Sequence, residues 1–185
     1  MMVNALCGFS PRDLYIPGSY GPVLAGTGSF TVGPGIDAIF VTGTGAGAGG
    51  GSQCGPNPGG NQYRSGGGGA GCIDYRIPVV EGDLVEITIG VGGSYICGNV
   101  GGSGSPGGDT LVKVNGATVL TLGGAPSQNG GTGPLNGGTS SGYFGTVGYS
   151  GAQADPIITT TYGAGGPGGS DSAYSGQSGY ARVSW

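Results

Sequence analysis

The sequence predicts an all-β fold: a β-sandwich-like domain with long glycine-rich loops and almost no helix. Three observations carry this reading. Short apolar runs such as AIFVT, LVEITI, TLVKV and TVLTL are rich in β-branched residues and bounded by turn formers. Fifty of the 185 residues are glycine, concentrated in Gly43–Gly51, Gly66–Gly71, Gly101–Gly108, Gly123–Gly142 and Gly163–Gly169, between and beyond those runs. Glycine and proline also recur too often for any long helix to form.

The length suits one domain, residues 28–185, preceded by an N-terminal arm, residues 1–27. In the arm, Pro11, Pro17, Gly18, Gly21 and Pro22 forbid a useful helix, so it reads as irregular. Phe9, Leu14, Tyr15, Ile16, Tyr20, Val23 and Leu24 make it too apolar for a solvated tail, so it packs either on its own domain or on a neighbour. Next come Ser29–Val32, a turn at Gly33–Gly35, and Asp37–Thr44, whose apolar residues of both parities suggest two covered faces.

After the excursion of residues 45–71, Ile73, Tyr75, Ile77 and Val79 share one parity against Asp74, Arg76 and Pro78. That describes a half-buried strand, and Pro78 favours a sheet edge. A turn at Glu81-Gly82-Asp83 leads into Leu84–Val91, where Val85, Ile87, Ile89 and Val91 alternate against Glu86 and Thr88. Thr110–Leu122 is the clearest hairpin, because Asn115-Gly116 suits a type I′ turn. A simple two-residue loop sets Val112 opposite Val119 and Leu111 opposite Leu120, with apolar residues on both faces of the ribbon. Ile157–Tyr162 and Tyr180–Trp185 read as the last strands. The predicted core includes Phe40, Val85, Ile87, Ile89, Val112, Val119, Leu120 and Leu122.

Composition narrows function. Glycine far above the usual level of about 7% would suggest disorder, but scarce charge and alternating β-branched runs argue for a folded chain. Only Arg12, Arg64, Arg76, Lys113 and Arg182 are basic, and the net charge is −4, which disfavours nucleic-acid binding. No apolar run is long enough for a membrane span. The N-terminus lacks the basic and apolar regions of a secretory signal, so synthesis in the cytoplasm without a signal peptide is expected.

Chemistry of the enzymatic kind is not expected. Gly45-x-Gly47-x-x-Gly50 after a strand matches a dinucleotide-binding pattern on paper, but the following SQCGPNP cannot supply the helix that mechanism needs. There is no histidine, so Ser-His-Asp and Cys-His arrangements are absent. The acids Asp37, Glu81, Asp83 and Asp109 read as turn residues rather than a catalytic pair, and neither Asp109 nor Asp171 lies in a calcium-loop pattern. No cofactor and no metal is expected.

Cys7, Cys54, Cys72 and Cys97 contain no C-x-x-C spacing, which leaves free buried thiols or disulfides. If they oxidise, Cys54–Cys72 is the expected pair within the chain, and Cys7 in the arm could bond a neighbouring subunit. Tyrosines set among glycine and serine suit adaptable recognition loops, although the same rings could cover glycine backbone. Tyr63, Tyr143, Phe144, Tyr149 and Tyr174 are the candidate contact residues of such loops, in segments 55–71, 126–149 and 163–178.

In order, SFTVGPGIDAIFVTGTGAGAGGG, GGGGAGCIDYRIPVVEGDLVEITIGVGG, GGDTLVKVNGATVLTLGGAPS and a terminal SGYARVSW resemble the glycine-rich domain of bacteriophage tail-fibre and tail-tip proteins. The likeness covers residues 28–185; GPG in place of the usual P-x-G and the four cysteines depart from it. The resemblance implies a non-enzymatic virion surface protein of a fibre, spike or tail tip that contributes to host-receptor binding. Its implied partners are other virion proteins through the arm, further copies in a homotrimer, and a host glycan or outer-membrane protein. A purely structural decoration of capsid, neck or tail is the alternative, and a glycine-rich ice-binding protein a remote one. The resemblance also implies that glycine tracts can pack as polyglycine II helices; the residues themselves leave that and plain loops both open.

Overall fold

A computed structural model of the protein describes residues 18–23, 26–53, 66–98, 104–127 and 175–185, with side chains described for all of these but 21–23, 52–53 and 97–98. The strands are β1 (Ser19–Val23), β2 (Thr27–Thr31), β3 (Ala38–Thr44), β4 (Gly51–Gln53), β5 (Gly71–Pro78), β6 (Leu84–Thr88), β7 (Ile96–Gly98), β8 (Thr110–Val114), β9 (Ala117–Leu122) and β10 (Tyr180–Ser184). The described residues contain no helix.

Two antiparallel four-stranded sheets, ordered β1-β10-β3-β5 and β2-β6-β8-β9, form the sandwich, and β4 and β7 make a short parallel ladder apart from them. The all-β, sandwich-like fold expected from the strand patterns is therefore the fold observed. Period two decides which side chains face inward. In β3, Ile39 and Val41 are buried; β6 buries Val85 and Ile87, and β10 buries Ala181 and Val183. These join Val32, Cys72, Ile77, Val79, Ile89, Val112, Leu120 and Leu122 in one core. Tyr20, Phe30 and Trp185 close one end of it, with ring centroids 4.9 Å apart for Tyr20–Phe30 and 5.5 Å for Phe30–Trp185.

As Pro78 suggested, β5 lies at a sheet edge. The segment Ser29–Val32, turn, Asp37–Thr44 does turn at Pro34-Gly35, but β2 and β3 do not pair: the turn carries the chain from one sheet to the other. The arm is not irregular throughout, because β1 pairs with β10 at the edge of the first sheet. That part of the arm packs on its own domain.

The hairpin corrects the expected pairing. Asn115 and Gly116 have φ of 50° and 79°, as a type I′ turn requires. Val114 faces Ala117 and Lys113 faces Thr118, but Val112 then faces Leu120 and Leu111 faces Thr121. Val119 is the extra residue of a β-bulge. The shift points Leu120 and Leu122 into the core and leaves Val119 38% exposed, so the ribbon is covered on one face and not two.

Phe40 also departs from the expected core. It has the parity opposite to Ile39 and Val41 and is half-buried on the outer face of its sheet. Val91 does not continue the alternation of β6, which ends at Thr88, and it is 75% exposed. The strand ends there because the chain enters a different kind of backbone packing.

Candidate functional site

Beyond the sandwich lie six glycine-rich segments: 45–50 after β3, 66–70 before β5, 89–95 after β6, 104–109 before β8, 123–127 after β9 and 175–179 before β10. They are neither strands nor free loops. The successive amides of Gly45, Ala46, Gly47, Ala48 and Gly49 donate to Ala70, Gly108, Gln177, Gly67 and Ser105 at 2.8–3.0 Å. The direction of bonding thus rotates through three neighbours and returns to the first after three residues.

The same step recurs between the other pairs. Gly93 and Ile96 donate to Gly47 and Gly50; Ser105 and Gly108 donate to Ser94 and Val91; Gly176 and Gly179 donate to Gly93 and Gly90. Ala125 donates to Ala46, which leaves segment 45–50 bonded to every one of the other five. A threefold helix directs its amides and carbonyls around its axis, whereas a strand directs them in a plane. The segments therefore associate in two dimensions as a lattice, the arrangement of polyglycine II. Of the two alternatives the sequence left open, this is the one that forms. It also satisfies the backbone groups of buried glycine, which has no side chain to contribute.

Close approach dictates the composition. A Cβ on Gly45 would overlap the backbone of Leu122 and Gly123, one on Gly66 that of Ala48, one on Gly69 that of Gly45, and one on Gly107 that of Ala46. Ala46, Ala48, Ala70 and Ala125 are fully buried in the lattice, at positions where a methyl group fits. None of the lattice glycines has positive φ. Contact, not backbone conformation, demands glycine here.

One hydroxyl welds the lattice to the sandwich. Thr110 Oγ1 donates to the carbonyl of Thr44 (2.9 Å) and accepts from the amide of Gly90 (3.1 Å), and both threonines are buried. At the outer edge Asp109 accepts from the amide of Gly124 (2.8 Å), and Ser105 Oγ from that of Ser94 (2.7 Å).

The topology gives the lattice a direction. Three segments leave the sandwich through it (45–50, 89–95 and 123–127) and three return (66–70, 104–109 and 175–179). The described residues Gln53, Gly66, Gly98, Gly104, Ser127 and Ser175, which flank segments 54–65, 99–103 and 128–174, consequently lie on the side of the lattice remote from the sandwich. Tyr63, Tyr143, Phe144, Tyr149 and Tyr174 belong to these segments and lie outside the described residues, as do Cys7, Cys54 and the expected strand Ile157–Tyr162.

Cys72 is a buried free thiol on β5 whose Sγ donates to the carbonyl of Val41 (3.3 Å). Burial pushes it up to about 11, against the opposing effect of a backbone bond from Gly43 and with a smaller push from Asp74. Cys97 takes part in β7, opposite Ser52. Gly45, Gly47 and Gly50, the apparent dinucleotide motif, form the centre of the lattice, followed by strand β4. Among the described residues no three His, Cys, Asp or Glu side chains come together, and no helix is long and apolar enough to cross a membrane.

A second feature, which sequence reasoning missed, lies at the opposite end of the sandwich. A groove of about 470 Å³ is lined by Pro34, Ile36, Ala38, Phe40 and Trp185, with Asp37 and Arg76 also in its wall. The signals were the apolar residue directly after GPG and the chain's single tryptophan at its C-terminal end.

No protein-family model matches the chain, and no curated protein matches it.

Proposed function

We propose that the protein is a non-enzymatic virion component of a fibre, spike or tail tip, in which the lattice holds glycine- and tyrosine-rich segments out toward a host surface. The observation that carries this reading is that Gln53, Gly66, Gly98, Gly104, Ser127 and Ser175, the described residues flanking segments 54–65, 99–103 and 128–174, share the outer side of the lattice. A lattice held by backbone bonds is indifferent to the side chains of the segments it supports. Those segments can vary in sequence without disturbing the core, which is what a recognition surface requires. Tyr63, Tyr143, Phe144, Tyr149 and Tyr174 supply flat, partly polar rings suited to a glycan or a protein loop.

The test is Tyr143→Ala with Tyr149→Ala in the virion. Loss of host adsorption by intact particles supports recognition. Normal adsorption by fragile or unassembled particles supports the structural alternative instead.

One observation favours a structural role in assembly. Val91, Tyr95 and Ile96 lie exposed along one flank of the lattice, at 75%, 53% and 46%. An apolar flank of this kind suits contact between subunits, and a homotrimer is the assembly we infer. Light scattering on the purified protein checks it: a stable monomer at micromolar concentration counts against the trimer. The threefold lattice also favours the ice-binding reading, but its exposed flank mixes Val91, Ser94, Tyr95 and Ile96 rather than repeating one residue type. An ice-recrystallisation assay separates the two.

A further inference from the structure

We propose that the end groove binds a small zwitterion with an apolar body: an apolar α-amino acid or a dipeptide of such residues. The observation that carries it is a pair of opposite charges left unmated in an apolar site. Pro34, Ile36, Ala38, Phe40 and Trp185 form most of the wall, and Asp37 and Arg76 are the only charged residues in it. Both are exposed, and among the described residues neither side chain has a hydrogen-bond or ion-pair partner, not even the other. The volume of about 470 Å³ lies within the range of small-ligand sites.

The walls are fixed before a ligand arrives. Trp185 stacks on Phe30, with ring centroids 5.5 Å apart and planes at 28°, and its backbone exchanges two hydrogen bonds of 3.1 Å with Gly18. A Cβ on Gly18 would overlap the indole, so backbone packs directly against this ring. The carbonyl of Asp37 accepts from the amide of Val79 at 3.1 Å, and Arg76 stands opposite Phe40 in the β3–β5 ladder. A preformed wall spares binding the entropy of ordering it. Only the two charged side chains remain unanchored.

Chemistry selects the class. A guanidinium takes a carboxylate through two parallel hydrogen bonds, and a carboxylate takes an ammonium, each bond stronger than one between neutral groups. A ligand carrying both charges satisfies the pair and adds no net charge to the site. Its apolar body then lies against Ile36, Phe40 and Trp185 and loses its water there. A sugar fits less well. Thr31 is the one other polar side chain in the wall, so most sugar hydroxyls would lose water without gaining a partner. The site is at the end opposite the lattice and does not depend on the recognition role proposed above.

Calorimetry on the full chain, with L-phenylalanine and with L-phenylalanyl-L-leucine, tests the site. Trp185 is the only tryptophan, so its emission, followed in parallel, reports from the groove wall. At least one of the two ligands should saturate with a Kd of about 1 mM or below, and the tighter one identifies the source. Phenylalanine amide and N-acetylphenylalanine each lack one charge and should bind about tenfold more weakly or worse. Arg76→Gln should weaken the zwitterion by a similar factor and leave phenylalanine amide unchanged; Asp37→Asn should weaken it likewise and leave N-acetylphenylalanine unchanged. Both positions are exposed, and an unchanged urea midpoint separates lost binding from lost structure. Absence of saturation by either zwitterion up to about 10 mM overturns the proposal. Equal binding of N-acetylphenylalanine amide, which has neither charge, reduces the groove to apolar contact and overturns it too. Saturation by methyl glucoside in place of the zwitterions overturns the ligand class.

Discussion

Thr110 on β8 reaches across from the second sheet to the Thr44 carbonyl on β3 of the first, with its Oγ1 2.9 Å away. The same oxygen accepts from the amide of Gly90 at 3.1 Å. It stands where the sheets end and the lattice begins, so one hydroxyl satisfies backbone groups from two segments that no ladder pairs.

Thr110→Val keeps the shape and removes both bonds. With the Gly90 amide left unpaired in a buried site, the expected loss is about 1–3 kcal/mol. Thr110→Ser should retain most of the stability. Urea unfolding of the three proteins checks the order.

The lattice makes glycine replacement depend on position. Gly69→Ala and Gly107→Ala each drive a methyl group into backbone that has no room to yield, and a loss of about 1–3 kcal/mol or more is expected for each. Gly33→Ala is the control: its nearest neighbour is Ile36 Cδ1 at 3.8 Å, and its φ is not positive. There the shorter list of unfolded conformations should stabilise by about 0.4–1 kcal/mol. Thermal melts showing equal effects at all three positions would refute the lattice.

Cys72 makes stability sensitive to alkali. Its thiol moves from 9.0 to about 11 on folding, chiefly by burial, so below pH 9 both states keep the proton. Between these values the unfolded state loses its proton first, and stability falls as pH rises, by about 2–3 kcal/mol in all. Cys72→Ala should lack this component. Native protein should also react slowly with thiol reagents at Cys72, by mass spectrometry, and quickly once denatured.

Asn115 holds the hairpin to its neighbour as well as turning it. Its Oδ1 accepts from the amide of Leu84 (2.9 Å) and its Nδ2 donates to Asp83 (2.7 Å), while its own φ is 50°. Asn115→Ala loses both bonds and keeps the strained backbone, so about 1–3 kcal/mol should be lost. Asn115→Asp should cost less than Ala if turn conformation dominates, and about as much if the Asp83 contact does, since two carboxylates then meet.

Local rules made the strands legible in the sequence by itself. Period two identified the inward residues of β5 and β6, Pro78 marked an edge, and Asn115-Gly116 located the turn, because each feature depends only on neighbours along the chain. The partners of glycine could not be read that way. A tract without side chains carries no pattern to say that Gly45 bonds Ala70 while Ala46 bonds Gly108; the strands that deliver those segments decide it. The bulge at Val119 likewise follows from the need to point Leu120 and Leu122 at a core assembled from distant strands. Only the tertiary structure brought Trp185 beside Ile36 and Phe40 to form a groove, and only it gathered six glycine-rich segments into one lattice. Composition demanded that backbone groups be satisfied; which ones meet was decided by packing.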